Sequence, residues 1–386
     1  MLPATLRSVR SFSTSVRAAA SDISFANLKV QKAAPEARKT KPANKDLVFG
    51  ASFSDHMLEV PWNKQSGWAA PIISPYHRLS IDPASNVLHY GIECFEGMKA
   101  YKDKHNQIRL FRPDKNMARL KSSCERIALP SFNTNEFLNC IKELVKLDAD
   151  WIPKEKGYSL YIRPTAIGTQ ESLGVGASNS SLLFVINSPV GPYYKTGFAP
   201  VKLLADTNNV RAWPGGTGGY KLGLNYAPTI LPQLKAMEDG CQQVLWLFGP
   251  ELEITEVGTM NFFMFWKNQN GETELVTPPL KDIILPGVTR DSILSLARSW
   301  GEFKVSERNF TIHDVVRGIK EKRVIELFGA GTAAIVSPIG CIKFEGQDYP
   351  IPLELGGSGK LTKRFFDTMM SIQYGELEHE WSVIVK

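Results

Sequence analysis

The segment that carries most information about this chain is Gly215-Gly216-Thr217-Gly218-Gly219-Tyr220-Lys221-Leu222-Gly223-Leu224-Asn225-Tyr226. Glycines permit close backbone approach and positive φ angles, so the run is typical of a loop folded tightly around a ligand. In dry surroundings the pKa of a lysine falls, and its neutral amine becomes a nucleophile toward carbonyl carbon. Lys221 is therefore a candidate Schiff-base lysine for an aldehyde cofactor. A solvated lysine in a flexible linker is the alternative that the run alone leaves open.

Length and composition limit the class of protein. The chain has 386 residues, of which 43% are hydrophobic and 22% charged, as in a globular protein with room for two domains. Half of the net charge of +6 comes from three arginines in residues 1–20, so the remainder is only mildly basic. That balance gives no indication of nucleic-acid binding. No apolar stretch approaches the length of a membrane span, so no membrane partner is expected.

The cysteines and histidines give no support to metal chemistry. The five cysteines are scattered without a C-x-x-C pair, and the six histidines form no H-E-x-x-H or H-x-H cluster. Such a distribution disfavours a disulfide framework or a structural zinc site and favours a reducing compartment. We therefore expect no metal site.

The first residues have the composition of a targeting segment. Residues 1–20 contain Arg7, Arg10 and Arg17 together with several serines, and the first acidic residue is Asp22. An arginine- and serine-rich start without acids is typical of a mitochondrial presequence, and a disordered tail without an address is the alternative. Residues 21–46, rich in Ala, Lys and Pro, are predicted to be an extended linker.

The rest of the chain divides into two parts. Residues 47–190 combine strand-like runs, one of them over 79–90, with helical periodicity over 116–127 and 135–147, and predict a small N-terminal α/β domain. Residues 191–200, punctuated by Gly and Pro, are interpreted as the connection between domains. Residues 201–386 predict a larger domain with an antiparallel meander and helices over 229–237, 290–300 and 361–374. The predicted fold class is mixed α/β with two domains.

Two segments supply candidate partners for a pyridine-based aldehyde cofactor. Glu256 lies between strand-like runs, and a carboxylate beside a pyridine nitrogen keeps that nitrogen protonated, although an exposed strand-end glutamate is the alternative. Residues 284–292 lead into a predicted helix, whose free N–H groups and dipole attract anions such as phosphate. The alternative there is a simple helix cap built on Thr289 and Asp291.

A competing motif lies late in the chain. Gly329-Ala330-Gly331-Thr332-Ala333-Ala334 fits G-x-G-x-x-A, the relaxed dinucleotide-binding pattern, which would favour a Rossmann fold and a nicotinamide or flavin enzyme. The residues after it, 335–340, break a helix instead of forming one. A glycine turn that presents N–H groups to a phosphate or carboxylate therefore fits better.

In their order along the chain, these segments resemble the class IV pyridoxal-phosphate aminotransferases, specifically the eukaryotic branched-chain amino-acid aminotransferases in a mitochondrial form. The resemblance extends from about Phe49 to near the C-terminus. It rests on His89-Tyr90, Cys94-Phe95-Glu96-Gly97-Met98-Lys99-Ala100, Leu110-Phe111-Arg112-Pro113, Asn116-Met117, Tyr161-Ile162-Arg163-Pro164, Tyr220-Lys221-Leu222-Gly223, Asn225-Tyr226, Thr255-Glu256-Val257-Gly258-Thr259-Met260-Asn261 and Leu285-Pro286-Gly287-Val288. It implies the fold of fold-type IV pyridoxal-phosphate enzymes.

The resemblance also implies how pyridoxal 5'-phosphate would be bound. Lys221 would carry the cofactor and move the substrate proton, Glu256 would pair with the pyridine nitrogen, and Tyr226 with the ring hydroxyl. The phosphate would be held by Arg119 and by backbone N–H groups of Val288, Thr289 and Thr332. Arg211 matches a further arginine near the cofactor.

For the substrates, the resemblance implies an apolar site. The residues that would line it are Phe49, Tyr90, Phe95, Tyr161, Thr259 and Ala333. Arg163 is the candidate for the second carboxylate of 2-oxoglutarate. Val175 would reach the pocket of the partner subunit, because the family is homodimeric.

The implied reaction is reversible, ping-pong transfer of the amino group between leucine, isoleucine or valine and 2-oxoglutarate, giving L-glutamate, in the mitochondrial matrix. One departure concerns the redox C-x-x-C of vertebrate mitochondrial members, whose two positions are Ala334 and Ser337 here, so thiol control through it is not expected. D-Amino-acid aminotransferase, aminodeoxychorismate lyase, nicotinamide oxidoreductase and a non-catalytic binding role are the alternatives.

Overall fold

A computed structural model describes residues 21–192 and 199–386. The predicted presequence and most of the predicted interdomain connection therefore lie outside the described residues. The described chain forms two β-sheets with helices packed on them, which confirms the mixed α/β class. None of its helices combines the length and the apolar character that crossing a membrane requires.

The first sheet is built mainly from residues 29–190. Its centre is a long antiparallel hairpin, residues 159–190, and neighbouring strands extend it on both sides. In chain order its strands are β1 Lys29–Val30, β2 His56–Asn63, β3 Gly67–Trp68, β4 Ile72–Pro75, β5 Glu93–Phe95, β6 Met98–Lys102, β7 Ile108–Phe111, β8 Ser159–Gly168 and β9 Ser180–Val190.

Helices α1 Asn86–Tyr90, α2 Pro113–Arg126 and α3 Thr134–Leu147 accompany this sheet. The helical spacing at 135–147 predicted the apolar face of α3, and Phe137, Ile141 and Leu144 are fully buried in the core of the first sheet. The helix begins where the Asn133 side chain accepts hydrogen bonds from the N–H groups of residues 135 and 136, the usual role of an asparagine N-cap.

The strand predicted over 79–90 is wrong. Residues 86–90 form α1, which ends at Gly91 in the left-handed conformation with φ of 60°. The N–H of Asn86 donates to the Gln170 carbonyl, a partner distant in sequence. A five-residue helix depends on such tertiary contacts because it is too short to be stable by itself.

Residues 21–46, predicted as a linker, are extended but packed on the first sheet. Ile23 and Ala33 are buried, and β1 pairs in parallel with β4. The Ala33 N–H donates to Nε2 of His56, whose Nδ1 lies 2.6 Å from an oxygen of Asp148. The segment is therefore part of the folded unit, which alanine-, lysine- and proline-rich composition did not indicate.

The second sheet follows residue 200 and is mixed parallel and antiparallel. Its strands are β10 Val201–Asp206, β11 Gln243–Phe248, β12 Glu253–Val257, β13 Met260–Lys267, β14 Thr273–Thr277, β15 Lys304–Glu307, β16 Val324–Gly331, β17 Ile335–Phe344 and β18 Gln347–Pro350. Its helices are α4 Ile230–Glu238, α5 Val288–Trp300, α6 Ile312–Lys320 and α7 Lys360–Gln373. The predicted meander is present, because β11, β12, β13 and β14 pair in sequence as antiparallel neighbours.

The G-x-G-x-x-A segment lies in an antiparallel hairpin. β16 ends at Gly331, which pairs with Ile335 at the start of β17, so a strand and not a helix comes directly after the glycines. A Rossmann site requires a helix directly after the glycines, with its N-terminus at the pyrophosphate. The structure therefore excludes the dinucleotide interpretation and bears out a glycine turn.

The two sheets are packed against each other through shared aromatic residues. Tyr101 and Phe111 of the first sheet belong to the same buried cluster as Phe328 and Phe365 of the second part. The C-terminal strand β19 Ser382–Ile384 also joins the first sheet, where it pairs with β7. The division into two domains stays a prediction. The proposed second domain, residues 201–386, contributes β19 to the first sheet.

Candidate active site

A cavity of about 220 Å³ lies between the two sheets. It is bordered by β5 and β8 of the first sheet and by the β12–β13 turn, the start of α5 and the β16–β17 turn of the second. The predicted site residues that line it are Phe49, Phe95, Arg119, Tyr161, Arg163, Lys221, Tyr226, Thr259, Val288, Thr289, Thr332 and Ala333. Residues separated by almost 300 positions in sequence thus meet at one cavity.

Lys221 is held in place by its backbone and presents its amine to the cavity. Its N–H donates to Oγ of Ser123 at 3.0 Å, and its carbonyl accepts from the Phe95 N–H at 3.1 Å. Nζ donates to the Tyr226 hydroxyl at 2.9 Å and lies 4.7 Å from the centre of the Phe95 ring. The lysine is therefore part of a packed site, which contradicts the flexible-linker alternative.

The loop before the lysine is closed by a side chain and by close packing. The Asn225 amide donates to the carbonyls of Thr217 and Tyr220 at 2.8 and 2.9 Å. A Cβ on Gly218 would lie 2.6 Å from the Ile283 carbonyl oxygen, closer than real Cβ contacts. Glycine is needed at this position for close approach, as the run predicted.

Glu256 lies in β12 and is buried, with 3% of its surface exposed. Oε1 accepts a hydrogen bond from the Leu285 N–H at 2.7 Å, and Oε2 lies 3.1 Å from Nε of Arg211. Burial raises the pKa of Glu256, and the charge of Arg211 opposes that rise. The exposed strand-end alternative is thereby excluded, and the carboxylate is held at a defined orientation behind the cavity wall.

Arg119, on α2, forms one wall of the cavity and pairs with a carboxylate that the sequence did not single out. Its Nε and Nη2 donate to Oε1 and Oε2 of Glu96 at 2.6 and 2.9 Å, and Nη1 donates to the Pro286 carbonyl at 3.0 Å. Burial lowers the pKa of Arg119, but the charge and hydrogen bonds of Glu96 outweigh burial and raise it. The guanidinium stays charged inside the protein.

Helix α5 begins beside Arg119 with its first N–H groups at the cavity. Gly287 is its N-cap, and no side chain of the described residues caps the helix start, so Thr289 and Asp291 do not form the simple cap considered as the alternative. A Cβ at Gly287 would lie 2.1 Å from Oδ1 of Asn261. The uncapped helix start and Arg119 together form a site for an anion.

The opposite end of the cavity is aromatic. The rings of Phe49 and Tyr161 meet edge to face with centres 4.9 Å apart, and those of Phe95 and Tyr226 lie 5.1 Å apart. The Arg163 guanidinium stacks 4.5 Å from the centre of Phe95 and donates to the Tyr161 hydroxyl at 3.0 Å. This end offers an apolar wall on which the cation of Arg163 is stacked.

Four predicted site residues do not line the cavity of the single chain. Glu256 and Arg211 lie behind its wall. Tyr90 is 38% exposed and its hydroxyl donates to the Leu173 carbonyl, while Val175 is 83% exposed. The role of Tyr90 in the substrate site stays a prediction, and so does that of Val175, which requires a second subunit.

Sequence reasoning missed several polar residues of the site. Glu96 is one, although it lies behind Arg119 and does not border the cavity, whereas Gln243 and Asn261 do border it. Lys99, buried in β6, donates to the Ala333 carbonyl at 2.8 Å, and burial lowers the pKa of Lys99 to about 8. The signal for it in the sequence is a lysine between Met98 and Ala100 in β6.

The arrangement fits pyridoxal phosphate. The amine of Lys221, the buried carboxylate of Glu256 and the anion site at Arg119 match the three parts of that cofactor that need partners: aldehyde, ring nitrogen and phosphate. Among the described residues, no cluster of three or more His, Cys, Asp or Glu side chains could hold a metal ion.

Comparisons with known proteins also point to an aminotransferase. The sequence model of the family described as amino-transferase class IV matches residues 93–341. A "Branched-chain-amino-acid aminotransferase" of Dictyostelium discoideum is 58% identical over 98% of this chain and 99% of its own length. Relatives called cytosolic in Mus musculus and mitochondrial in Bos taurus are 52% and 49% identical, over 89% and 96% of this chain and 89% and 94% of theirs.

Solved structures resemble the fold. A branched-chain aminotransferase from Thermoproteus uzoniensis, solved with norvaline, aligns with a TM-score of 0.69 at 23% identity over 85% of this chain and 99% of that one. This agreement concerns the fold alone, whereas the sequence matches cover nearly the whole chain at high identity. This chain belongs to the class IV aminotransferases, within the branched-chain-amino-acid aminotransferase family.

Proposed function

We propose that this enzyme is a pyridoxal-phosphate-dependent transaminase that moves the amino group between branched-chain L-amino acids and 2-oxoglutarate, reversibly and in two half-reactions. The observation that carries the proposal is the Lys221 amine, 2.9 Å from the Tyr226 hydroxyl in a cavity with an anion site on one side and an aromatic wall on the other. When bound, the cofactor supplies a carbonyl for amines and an electron sink that acidifies the substrate Cα–H.

The residues of the second sheet and of α2 would hold that cofactor. Arg119 and the N–H groups at Val288, Thr289 and Thr332 would bind the phosphate, and Tyr226 the ring hydroxyl. Glu256 would keep the ring nitrogen protonated. Its oxygens are already oriented by Leu285 and Arg211, so little reorganisation is needed when a cation arrives.

Lys221 would then move the proton. Its amine would accept the proton from the substrate Cα and pass it to C4′ of the cofactor, and the reverse half-reaction would carry the proton back. This role suits Nζ because it lines the cavity beside the ring of Phe95. Tyr226 orients that amine through its hydroxyl. Water is limited by the aromatic side chains that border this part of the cavity.

The aromatic end would accept both kinds of substrate side chain. Phe49, Phe95 and Tyr161, with Thr259 and Ala333, form a wall suited to leucine, isoleucine and valine. One methylene changes binding by only about 1–3 kcal/mol, so the three are expected to be poorly discriminated. Arg163 would meet the second carboxylate of 2-oxoglutarate or glutamate.

We further propose a homodimer. The exposed face of α4 is apolar, with Ile230, Leu231, Leu234 and Met237 all at least half exposed. A continuous apolar face on a helix favours burial against another protein surface. A second copy is the proposed occupant, because the resemblance implies a homodimer in which Val175, 83% exposed in the single chain, reaches the pocket of the partner subunit. Leu234→Asp is expected to convert the dimer to monomer in sedimentation measurements, and an unchanged dimer would contradict this face as the interface.

The mitochondrial matrix is the proposed location, on the composition of residues 1–20. Relatives of similar identity bear cytosolic and mitochondrial names, so only this segment favours one compartment. A fluorescent protein fused to residues 1–25 is expected in mitochondria, and a diffuse cytosolic signal would contradict the proposal.

A spectrum and an assay test the central proposal. With pyridoxal phosphate the purified protein should be yellow, and borohydride should bleach it and leave the label on Lys221 in a peptide map. Leucine with 2-oxoglutarate should yield glutamate. A colourless protein that forms no glutamate after cofactor addition would overturn the proposed function.

A further inference from the structure

Glu96 is fully buried directly behind Arg119 and does not line the cavity. Both of its oxygens accept from Arg119, at 2.6 and 2.9 Å, in the parallel two-bond geometry that arginine and carboxylate form best. Such a pair fixes the plane of the guanidinium and not only its distance. A single hydrogen bond would leave the group free to tilt.

Glu96 is itself fixed from other directions. The Asn116 side chain and the Gly97 N–H donate to Oε2 at 2.8 and 3.0 Å, and the Glu96 N–H donates to the Pro164 carbonyl at 2.8 Å. The carboxylate therefore has no freedom to follow Arg119 if the arginine moves. It acts as a rigid support attached to the first sheet.

The remaining donors of Arg119 are available for a ligand. A guanidinium has five N–H groups. Within the described part of the chain, Glu96 takes two and the Pro286 carbonyl takes one at 3.0 Å, leaving one N–H on each terminal nitrogen. Arg119 borders the cavity next to Val288 and Thr289, where α5 begins.

We propose that Glu96 is a positioning residue, which aims the free N–H groups of Arg119 at the cofactor phosphate. The inference rests on the proposed function, since it needs a phosphate at this end of the cavity. The negative charge of Glu96 weakens the attraction of Arg119 for an anion, so its contribution is orientation and not charge. A substitution that keeps the charge and shifts the carboxylate separates the two effects.

Glu96→Asp is the test, with affinities of the apoenzyme for pyridoxal phosphate and for pyridoxal, which lacks the phosphate. The dissociation constant for pyridoxal phosphate is expected to rise about tenfold or more, as for a lost hydrogen bond between charged groups. The dissociation constant for pyridoxal should change by less than about threefold, because pyridoxal has no phosphate for Arg119 to bind. Equal losses for both ligands, or no loss, would overturn the proposal.

Asn116→Ala is the second variant, in case Glu96→Asp does not fold. It leaves both charges in place and removes one support of Glu96, so a smaller loss of the same phosphate selectivity is expected, and none would count against the proposal. Glu274→Asp is the matched control, because Glu274 is buried, pairs with Nε and Nη2 of Arg308 at 3.2 and 2.8 Å, and lies outside the cavity. Its selectivity should equal that of the wild type.

The outcomes distinguish the two proposals. A wild-type protein that binds neither ligand would overturn the proposed function itself. A wild type that binds pyridoxal phosphate, with variants whose phosphate selectivity is unchanged, would overturn only the role of Glu96.

Discussion

The two ends of the cavity are built by different kinds of interaction. At the end that faces Glu256 and Arg119, each charged group is held by an opposite charge and by backbone groups, at 2.6 to 3.1 Å. At the other end, Phe49 and Tyr161 meet through ring contacts, and the cation of Arg163 stacks on Phe95.

The two ends differ in how strictly their interactions fix the direction of a bound group. Charge-assisted hydrogen bonds specify positions and angles, whereas apolar contact depends mainly on area. The first kind suits one invariant cofactor, and the second suits several side chains of similar size. Substitutions at the charged end should therefore lower turnover for every substrate. Substitutions at the aromatic end should change KM for one substrate more than for another.

The largest effect is expected at Lys221. Lys221→Ala removes the amine that we propose both to bind the cofactor carbonyl and to move the proton, so kcat for leucine and 2-oxoglutarate should fall by about 10⁴-fold or more. Circular dichroism should show an intact fold. Lys363→Ala, on the exposed side of α7, is the control and should be fully active. Normal activity of Lys221→Ala would mean that another lysine is responsible.

Glu256→Gln tests the other anchor of the charged end. The amide keeps the shape and can still accept from Leu285, but it loses the charge that we propose to pair with the ring nitrogen. We expect kcat to fall by about 10²- to 10³-fold for all amino acids alike, the usual loss when preorganised electrostatic stabilisation is removed. A loss confined to one substrate would contradict the division into two ends.

Lys99→Met tests whether the backbone at Ala333, which borders the cavity, is held by a buried charge that opposes folding. The pKa of Lys99 is about 8 in the folded protein against 10.5 without burial, so the unfolded chain binds more protons between these values. Burial of the charged amine thus opposes folding most fully below pH 8, by on the order of 3 kcal/mol, and this opposition disappears toward pH 10.5.

The measurement is urea unfolding of wild type and Lys99→Met at pH 7 and pH 10. The wild type should gain stability relative to the variant as the pH rises. About 1 kcal/mol for the lost hydrogen bond to Ala333 offsets part of the variant's advantage at pH 7. A difference that does not change with pH would show that Lys99 does not titrate in this range.

The smallest of these effects is expected at Arg163. Arg163→Met keeps much of the apolar stem and removes the cation, so KM for 2-oxoglutarate should rise by about tenfold. KM for leucine should change by less than about threefold on the same scale. Steady-state kinetics with each substrate varied in turn measures both, and equal changes would place the second carboxylate elsewhere.

The sequence identified the residues that we propose to bind the cofactor, but not the residues that support them. Lys221, Glu256 and the start of α5 lie in segments whose glycines or strand ends marked them. Glu96 and Lys99 lie within a short quoted motif, yet nothing in their spacing indicated that one would pair with Arg119 and the other with the Ala333 carbonyl. Pairings across 23 and 234 positions depend on how strands and helices are placed in space.

Local physics explains what the sequence by itself determined. The helical spacing of apolar residues predicted the buried face of α3. The absence of a side chain on glycine allows the close approach of the loop before Lys221 and the turn at 329–332. These features follow from side-chain volume and backbone freedom over a few residues.

Tertiary structure alone decided three things: the short helix at 86–90, the docking of residues 21–46, and the ion pair behind Arg119. Each depends on a partner far along the chain. A buried charge or a buried backbone N–H or carbonyl group is stable only where the fold brings a partner within hydrogen-bond distance.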